Sequence, residues 1–370
     1  MKKLRVGITH GDFNGVGYEV ILKTVGADGV LDLYTPVVFG DPRIAERAIK
    51  EMNLEPVAFN VVKSASEVQD DMINIVDLQL SDIGLNPGLP TKASGISSVK
   101  ALDEAVKALE EGDIDVLVTA PISKEAVQSN TFRFPGHTEF LEARAGENTK
   151  ADMILFDDNM RVALLSTHLP ISSVAATVTK EKVLAAIERL NDTLKRDFGV
   201  ERPKIAVLSL NPHCGDGGLL GDEEQKEIIP AIEEAVAKKI LAFGPFAADG
   251  FFASGAFSRY DVVLAMFHDQ GLAPFKALAR DGGVNFTAGL PWVRTSPDHG
   301  TAYDIAWKGL ADPESMRQAV YKAIDIFRRR ERFDEASANP LKKAHRTDRP
   351  ERPERKERNV EKNFEKETEL

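Results

Sequence analysis

Asp261-Val262-Val263-Leu264-Ala265-Met266-Phe267-His268-Asp269 is an unbroken apolar run that ends on a histidine and an aspartate. A strand with one buried face alternates apolar and polar residues, whereas one buried on both faces reads as a continuous apolar run. Strands are expected over 4–9, 36–39, 116–119, 162–166, 205–210 and 262–267, and several of these are of the continuous kind. Helical patterns fall between them, over 97–111, 181–198 and 222–241. The last opens with Asp222-Glu223-Glu224, acids suited to a helix N-terminus. It also carries Pro230, which divides or kinks it. Such alternation implies an α/β fold with a largely parallel sheet. At 370 residues the chain exceeds the usual size of a single core, so two lobes are expected.

Composition excludes several classes of function. No apolar run approaches the roughly 18 residues of a membrane span, and the N-terminal Met1-Lys2-Lys3-Leu4-Arg5-Val6 reads as the approach to a first strand, not a signal peptide. The single cysteine, Cys214, permits no internal disulfide and fits a reducing compartment. A net charge of −11 argues against a nucleic-acid partner, because neutralising phosphates needs a basic face. The expectation is a cytoplasmic protein with no membrane partner. From Ala336 onward the character changes: residues 336–370 hold ten Lys/Arg and eight Asp/Glu with almost no apolar anchors. Such a segment cannot offset its ordering entropy by burial, so 336–370 is expected to be a solvated, disordered or partly helical tail outside a catalytic unit of residues 1–335.

Three histidines stand where apolar runs end: His168, His213 and His268. In parallel sheets ligands bind beyond the carboxyl ends of the strands, and three neutral imidazoles converging there would bind a divalent metal with one position open. Their spacings match no compact metal motif, and His10 ends a run in the same way, so hydrogen-bonded structural histidines are an equal reading. Asp269 and Asp216 each follow a histidine closely and would orient an imidazole or simply cap a turn.

Two glycine-bearing turns also follow strand runs, Gly11-Asp12-Phe13-Asn14-Gly15-Val16-Gly17 and Asn211-Pro212-His213-Cys214-Gly215-Asp216-Gly217-Gly218. Neither matches a dinucleotide or Walker fingerprint. Each is either an anion cradle or a tight strand-to-helix turn. A denser polar cluster runs from 276 to 304, where Lys276, Asn285 and Arg294 suit a clamp on phosphate or carboxylate.

Five segments together resemble the 4-hydroxythreonine-4-phosphate dehydrogenase family. They are Val118-Thr119-Ala120-Pro121-Ile122-Ser123-Lys124, Phe134-Pro135-Gly136-His137-Thr138-Glu139-Phe140-Leu141, Leu210-Asn211-Pro212-His213, Phe267-His268-Asp269-Gln270-Gly271-Leu272-Ala273-Pro274-Phe275-Lys276 and Val284-Asn285-Phe286-Thr287-Ala288-Gly289-Leu290-Pro291. The resemblance implies an isocitrate/isopropylmalate dehydrogenase-like fold, two α/β lobes flanking an active-site cleft. By the same resemblance His168, His213 and His268 are the ligands of one divalent metal (zinc, cobalt or magnesium) shared across a homodimer interface. His137, Thr138, Lys276, Asn285 and Arg294 are substrate contacts. The residues His299, Gly300, Thr301, Ala302 and Asp304 match the adenosine-side loop for NAD or NADP. The first turn departs from the family's Gly-Asp-Pro-Ala-Gly-Ile-Gly-Pro-Glu at Phe13, Asn14 and Tyr18, while Asp12 and the glycines persist.

The implied reaction oxidises the hydroxyl of a phosphorylated substrate beside its phosphate-bearing carbon, and the β-keto acid so formed loses carbon dioxide. Asp269 is the candidate general base. Two rival readings stand beside this one. The first is a sibling dehydrogenase for a phosphorylated four-carbon sugar acid or a ring diol; the second is a non-catalytic NAD- or metal-binding regulator.

Overall fold

The computed structural model describes residues 3–81, 84–129, 132–147, 149–279 and 282–339; the tail expected at 336–370 therefore lies, from 340 on, outside the described residues. Among those described, twelve strands form one sheet: β1 Leu4–Thr9, β2 Tyr34–Gly40, β3 Phe59–Val62, β4 Ile73–Asp77, β5 Val116–Thr119, β6 Asp152–Phe156, β7 Arg161–Leu164, β8 Lys204–Leu208, β9 Leu241–Phe246, β10 Val262–Ala265, β11 Val284–Ala288 and β12 Val293–Pro297. Their order across the sheet is β3-β4-β2-β1-β5-β12-β11-β6-β7-β10-β8-β9.

The sheet has two parallel wings of opposite direction. β3, β4, β2, β1, β5 and β12 pair in parallel, as do β7, β10, β8 and β9. Between the wings β11 runs antiparallel to both β12 and β6, and β6 runs antiparallel to β7. The expectation of a largely parallel sheet therefore holds in each wing and fails at the junction.

All six expected strands are present. β1, β5 and β10 are buried along almost their whole length, as their continuous apolar runs require. The expected helices appear as Lys92–Glu111 and Lys180–Arg196. The first is closed by a reciprocal cap: the Thr91 side chain accepts from Ser94 N, the Ser94 side chain accepts from Thr91 N, and Gly112 at φ 77 ends the helix. The pattern at 222–241 resolves differently. A π-turn, Glu224–Ile228, precedes the helix Ile229–Ala237, with Pro230 in its first turn, and the chain re-enters the sheet at Leu241. The helix continues directly from the π-turn, and the proline, which has no N–H to donate, stands where the regular i→i−4 ladder is interrupted.

One apolar core runs through both wings, and a smaller cluster around Val162, Leu208, Val263 and Phe275 sits on the β7–β10 side. The long C-terminal helix, Glu314–Ala338, packs on β12, β11 and β5. A buried ion pair fixes it: Arg330 Nε and Nη2 donate to the two Asp197 carboxylate oxygens at 2.8 and 3.1 Å, and Nη1 donates to the Leu290 and Pro291 carbonyls. Those carbonyls belong to the turn that joins β11 to β12, so the helix holds the strand pair that carries Asn285 and Arg294.

Candidate active site

The cleft lies where strand direction reverses. Arg294 and Ser296, two residues apart on β12, share one face. With Thr119 of β5, Asn285 of β11 and Met153 of β6 they line a cavity of about 290 Å³. Loops and helix ends complete the wall: Ala120–Lys124 after β5, Gly136–Glu139, His168, Lys276 and Asp298–Gly300. All five residues expected to contact substrate, His137, Thr138, Lys276, Asn285 and Arg294, are brought together here.

Arg294 governs the electrostatics. It is 3% exposed, and its partners are hydroxyls: Nε and Nη2 donate to Thr119 Oγ1 at 3.2 and 2.5 Å, and Nη1 to Thr287 Oγ1 at 2.9 Å. Among the described residues no carboxylate forms an ion pair with it. Burial pulls its pKa down to about 10, with the charge of Glu139 opposing the shift. His137 opens the helix His137–Ala145, whose first residues receive no side-chain cap, so its N-terminal N–H groups remain for an anion. Burial, Arg294 and Lys124 push the His137 imidazole well below its usual pKa, which keeps it neutral.

Two polar residues of the quoted segments, Lys124 and Glu139, and Asp298 of the polar cluster 276–304 received no role from the sequence. Lys276 Nζ sits 3.1 Å from Asp298 Oδ1 and is held by it; burial in turn raises the Asp298 carboxyl pKa, with Lys276 opposing. Lys124 Nζ lies 3.4 Å from His168 Nε2, and the other ring nitrogen of His168 lies 3.7 Å from Glu139 Oε1. Contact with His168 holds the Glu139 carboxyl below its ordinary range. Two buried polar atoms on the wall, Asn285 Oδ1 and His299 Nε2, have no hydrogen-bond partner within the protein.

The three strand-end histidines follow adjacent parallel strands, β7, β10 and β8. His168 and His268 face each other with ring centroids 6.2 Å apart. Asp269 Oδ1 accepts from His268 Nδ1 at 2.7 Å, leaving Nε2 free, and the Asp269 side chain is otherwise exposed. The expected base is thus seated on an imidazole. His213 is held apart on the turn Pro212–Gly218, where residues 213–217 all have positive φ. Buried Glu224 pins the base of that turn, accepting from the N–H groups of Leu210 and Asn211 at 2.8 and 2.7 Å. The helix-terminus reading of Glu224 missed this contact. Among the described residues no three His, Cys, Asp or Glu side chains of one chain are grouped to hold a metal.

The first glycine turn is a packed strand-to-helix turn. Residues 10–20 are buried throughout, and the turn seats the loop of His299, Gly300, Thr301, Ala302 and Asp304. Val16 N donates to Thr301 O at 3.0 Å, and Trp307 Nε1 donates to Phe13 O at 2.8 Å. The departures from the family pattern are packing residues: Phe13 and Tyr18 stack on His10, and the Asn14 side chain accepts from Asn86 N.

Comparison with known proteins gives this geometry a family. The sequence model of the pyridoxal phosphate biosynthetic protein PdxA matches residues 32–323. The 4-hydroxythreonine-4-phosphate dehydrogenase of Bacteroides thetaiotaomicron is 51% identical over 343 residues, covering 93% of this chain and 94% of that protein. The D-threonate 4-phosphate dehydrogenase of Pectobacterium atrosepticum is 38% identical over 325 residues, 87% and 98% of the two chains. The crystal structure of 4-hydroxythreonine-4-phosphate dehydrogenase from Klebsiella pneumoniae superposes with a TM-score of 0.76 at 34% identity, covering 88% and 98% of the two chains. The chain belongs to the PdxA family of pyridoxal phosphate biosynthetic proteins.

Proposed function

We propose that the chain oxidises 4-phosphohydroxy-L-threonine with NAD⁺ or NADP⁺ and decarboxylates the product to 3-amino-2-oxopropyl phosphate. The observation that carries the proposal is the convergence of His137, Thr138, Lys276, Asn285 and Arg294 on one cleft with two uncommitted buried polar atoms. Lys276 and Arg294 fix the anionic ends of the substrate, and Asn285 Oδ1 accepts from one of its donors. The neutral His137 and the helix N-terminus beside Thr138 complete the grip, so binding energy becomes orientation. In the reaction the substrate C–H bond breaks as hydride passes to the nicotinamide ring and the hydroxyl proton is released. The β-keto acid then loses its carboxylate as carbon dioxide.

The donor set fits a divalent metal when two copies of the chain combine. His168 and His268 form one half of the ligand set, with Asp269 orienting His268 as a carboxylate orients a ligating imidazole. His213 of a second copy supplies the third nitrogen. Exposed apolar residues flank both halves and support such an interface: Ile171 beside His168 is 72% exposed and Leu219 beside His213 is 79% exposed. A bound divalent ion would polarise the substrate hydroxyl and the ketone that replaces it.

The test is reduced-dinucleotide formation by metal-stripped protein given 4-phosphohydroxythreonine, with D-threonate 4-phosphate in parallel, before and after adding zinc or cobalt. Metal-dependent turnover of the first compound is expected. Turnover of the second alone would overturn the substrate while keeping the mechanism, and silence on both would overturn the site.

A further inference from the structure

Asp12 is 1% exposed and does not itself line the cleft, yet it is among the most heavily bonded carboxylates in the protein. Oδ1 accepts from Asn14 N at 2.8 Å; Oδ2 accepts from Ser94 Oγ at 2.8 Å and from the Tyr303 hydroxyl at 2.9 Å. Its own N–H donates to Pro121 O at 2.8 Å, so the same residue also ties down the loop after β5. Burial and the Asp12 charge push the Tyr303 pKa up to about 12, so the hydroxyl keeps its proton and is always the donor.

The loop on the other side of this bond is not held by its own preference. Ala302 sits at φ 44, in the left-handed region where a side chain is unfavourable, and such a conformation persists only where neighbours impose it. The neighbours are those of the first turn. A Cβ at Gly15 would lie 2.7 Å from Thr301 O, and Gly88, whose N–H donates to Asn14 O, would meet Tyr303 O at 3.0 Å. The two segments are therefore fitted surfaces with one charged hydrogen bond between them.

We infer that Asp12 is a positioning residue for the dinucleotide: through the Tyr303 hydroxyl it sets the loop that carries His299, Gly300 and Thr301. The inference rests on the reading of that loop as the cofactor's adenosine side. It also accounts for the first glycine turn, which lets two backbones approach within hydrogen-bonding distance. Removing the hydroxyl leaves both surfaces packed and releases the charged bond to Asp12 together with the hydroxyl's bonds to the Ser123 and Thr301 side chains, and the freed loop is expected to hold the dinucleotide about tenfold more weakly.

The experiment compares wild type, Tyr303→Phe and Gly300→Trp as full-length protein, by NADH and NADPH fluorescence titration, steady-state kinetics and thermal midpoint. A Cβ at Gly300 meets nothing within 4 Å, so the backbone there admits a side chain and the tryptophan covers the loop surface, the thermal midpoint reporting whether the fold is kept. Tyr303→Phe is expected to raise Kd and KM for the dinucleotide about tenfold, with KM for the phosphorylated substrate unchanged and the midpoint lowered by about 2–4 °C. Unaltered dinucleotide affinity in Tyr303→Phe beside abolished binding in Gly300→Trp would overturn the positioning role and leave the cofactor loop standing. Equal weakening of dinucleotide and substrate would also overturn it, by showing a merely structural role. Wild-type affinity in Gly300→Trp would remove the cofactor reading and the inference together.

Discussion

Replacing Arg294 with methionine is expected to abolish function without destabilising the fold. The guanidinium is 3% exposed and donates only to threonine hydroxyls. Its pKa falls from the usual guanidinium range to about 10, a depression equivalent to roughly 3 kcal/mol of disfavoured charge. For a base with a depressed folded pKa, that cost is fully present at every pH below the folded value, and so at pH 7. Methionine removes it while stranding the hydroxyls of Thr119 and Thr287 at roughly 1 kcal/mol each. The net expectation is a change between zero and about 2 kcal/mol of stabilisation, where truncating a large buried side chain ordinarily costs about 2–5 kcal/mol. Urea unfolding at pH 7 measures the first quantity. Unfolding with 4-phosphohydroxythreonine at a hundred times its wild-type Kd measures the second: wild type gains about 2.7 kcal/mol and the variant gains nothing. A variant that loses more than about 1 kcal/mol, or one still stabilised by substrate, would refute the picture of a cation held ready for an anion.

Three further outcomes follow from the packing. Asp197→Asn leaves Arg330 as a buried, uncompensated charge and should cost about 3–5 kcal/mol in urea unfolding; a loss below about 1 kcal/mol would show that the pair does not fix the C-terminal helix. His10 is fully buried and its pKa is lowered to about 4, first by desolvation. As pH falls below the ordinary histidine value the unfolded chain takes up a proton that the folded chain refuses, so wild type loses roughly 2 kcal/mol more than His10→Gln between pH 7 and 4.5; parallel pH profiles would contradict this. Gly95→Ala puts a Cβ 1.9 Å from Ala126 O, so the loop bearing Lys124 must move. The expected result is a loss of about 2–3 kcal/mol with reduced kcat/KM, and an unchanged midpoint would show that the loop yields freely.

β1, β2, β5, β7, β8 and β10 were legible because they are buried along most of their length and read as apolar runs. β11 and β12 were not, and the reason is chemical. Asn285, Thr287, Arg294 and Ser296 project polar groups from the sheet, which breaks both the apolar run and the alternation that mark a strand. β9 was hidden by Gly244-Pro245, residues that read as breakers, and its first residue, Leu241, closes the helix pattern 222–241, whereas the helix itself ends at Ala237. Of the candidate substrate-binding positions, Lys276, Asn285 and Arg294 stood out in the polar cluster as an anion clamp, whereas His137 and Thr138 emerged only through the family resemblance. The pairings of Lys276 with Asp298 and of His168 with Lys124 and Glu139 depend on chain segments 22 to 44 residues apart, whose approach no local pattern encodes.

The junction of the wings explains why the cleft is there and why it is cationic inside an acidic protein. Two parallel wings of opposite direction can share one sheet only through antiparallel strands. Those strands leave the helix-covered interior at the point where loops from both wings meet. β5 and β12 bring Thr119 and Arg294 from one wing, and the loop beyond β7 brings His168 from the other. Three cations there, Lys124, Lys276 and Arg294, face two carboxylates, Glu139 and Asp298, and both carboxylates are already engaged. The chain's net charge of −11 acts through solvent and is screened within about 8–10 Å at physiological salt. The buried guanidinium is screened far less, so a doubly anionic substrate meets net attraction only after entering the cleft. Recognition in this protein is therefore a short-range property of desolvated donors, set by the strand pair that the sequence pattern conceals.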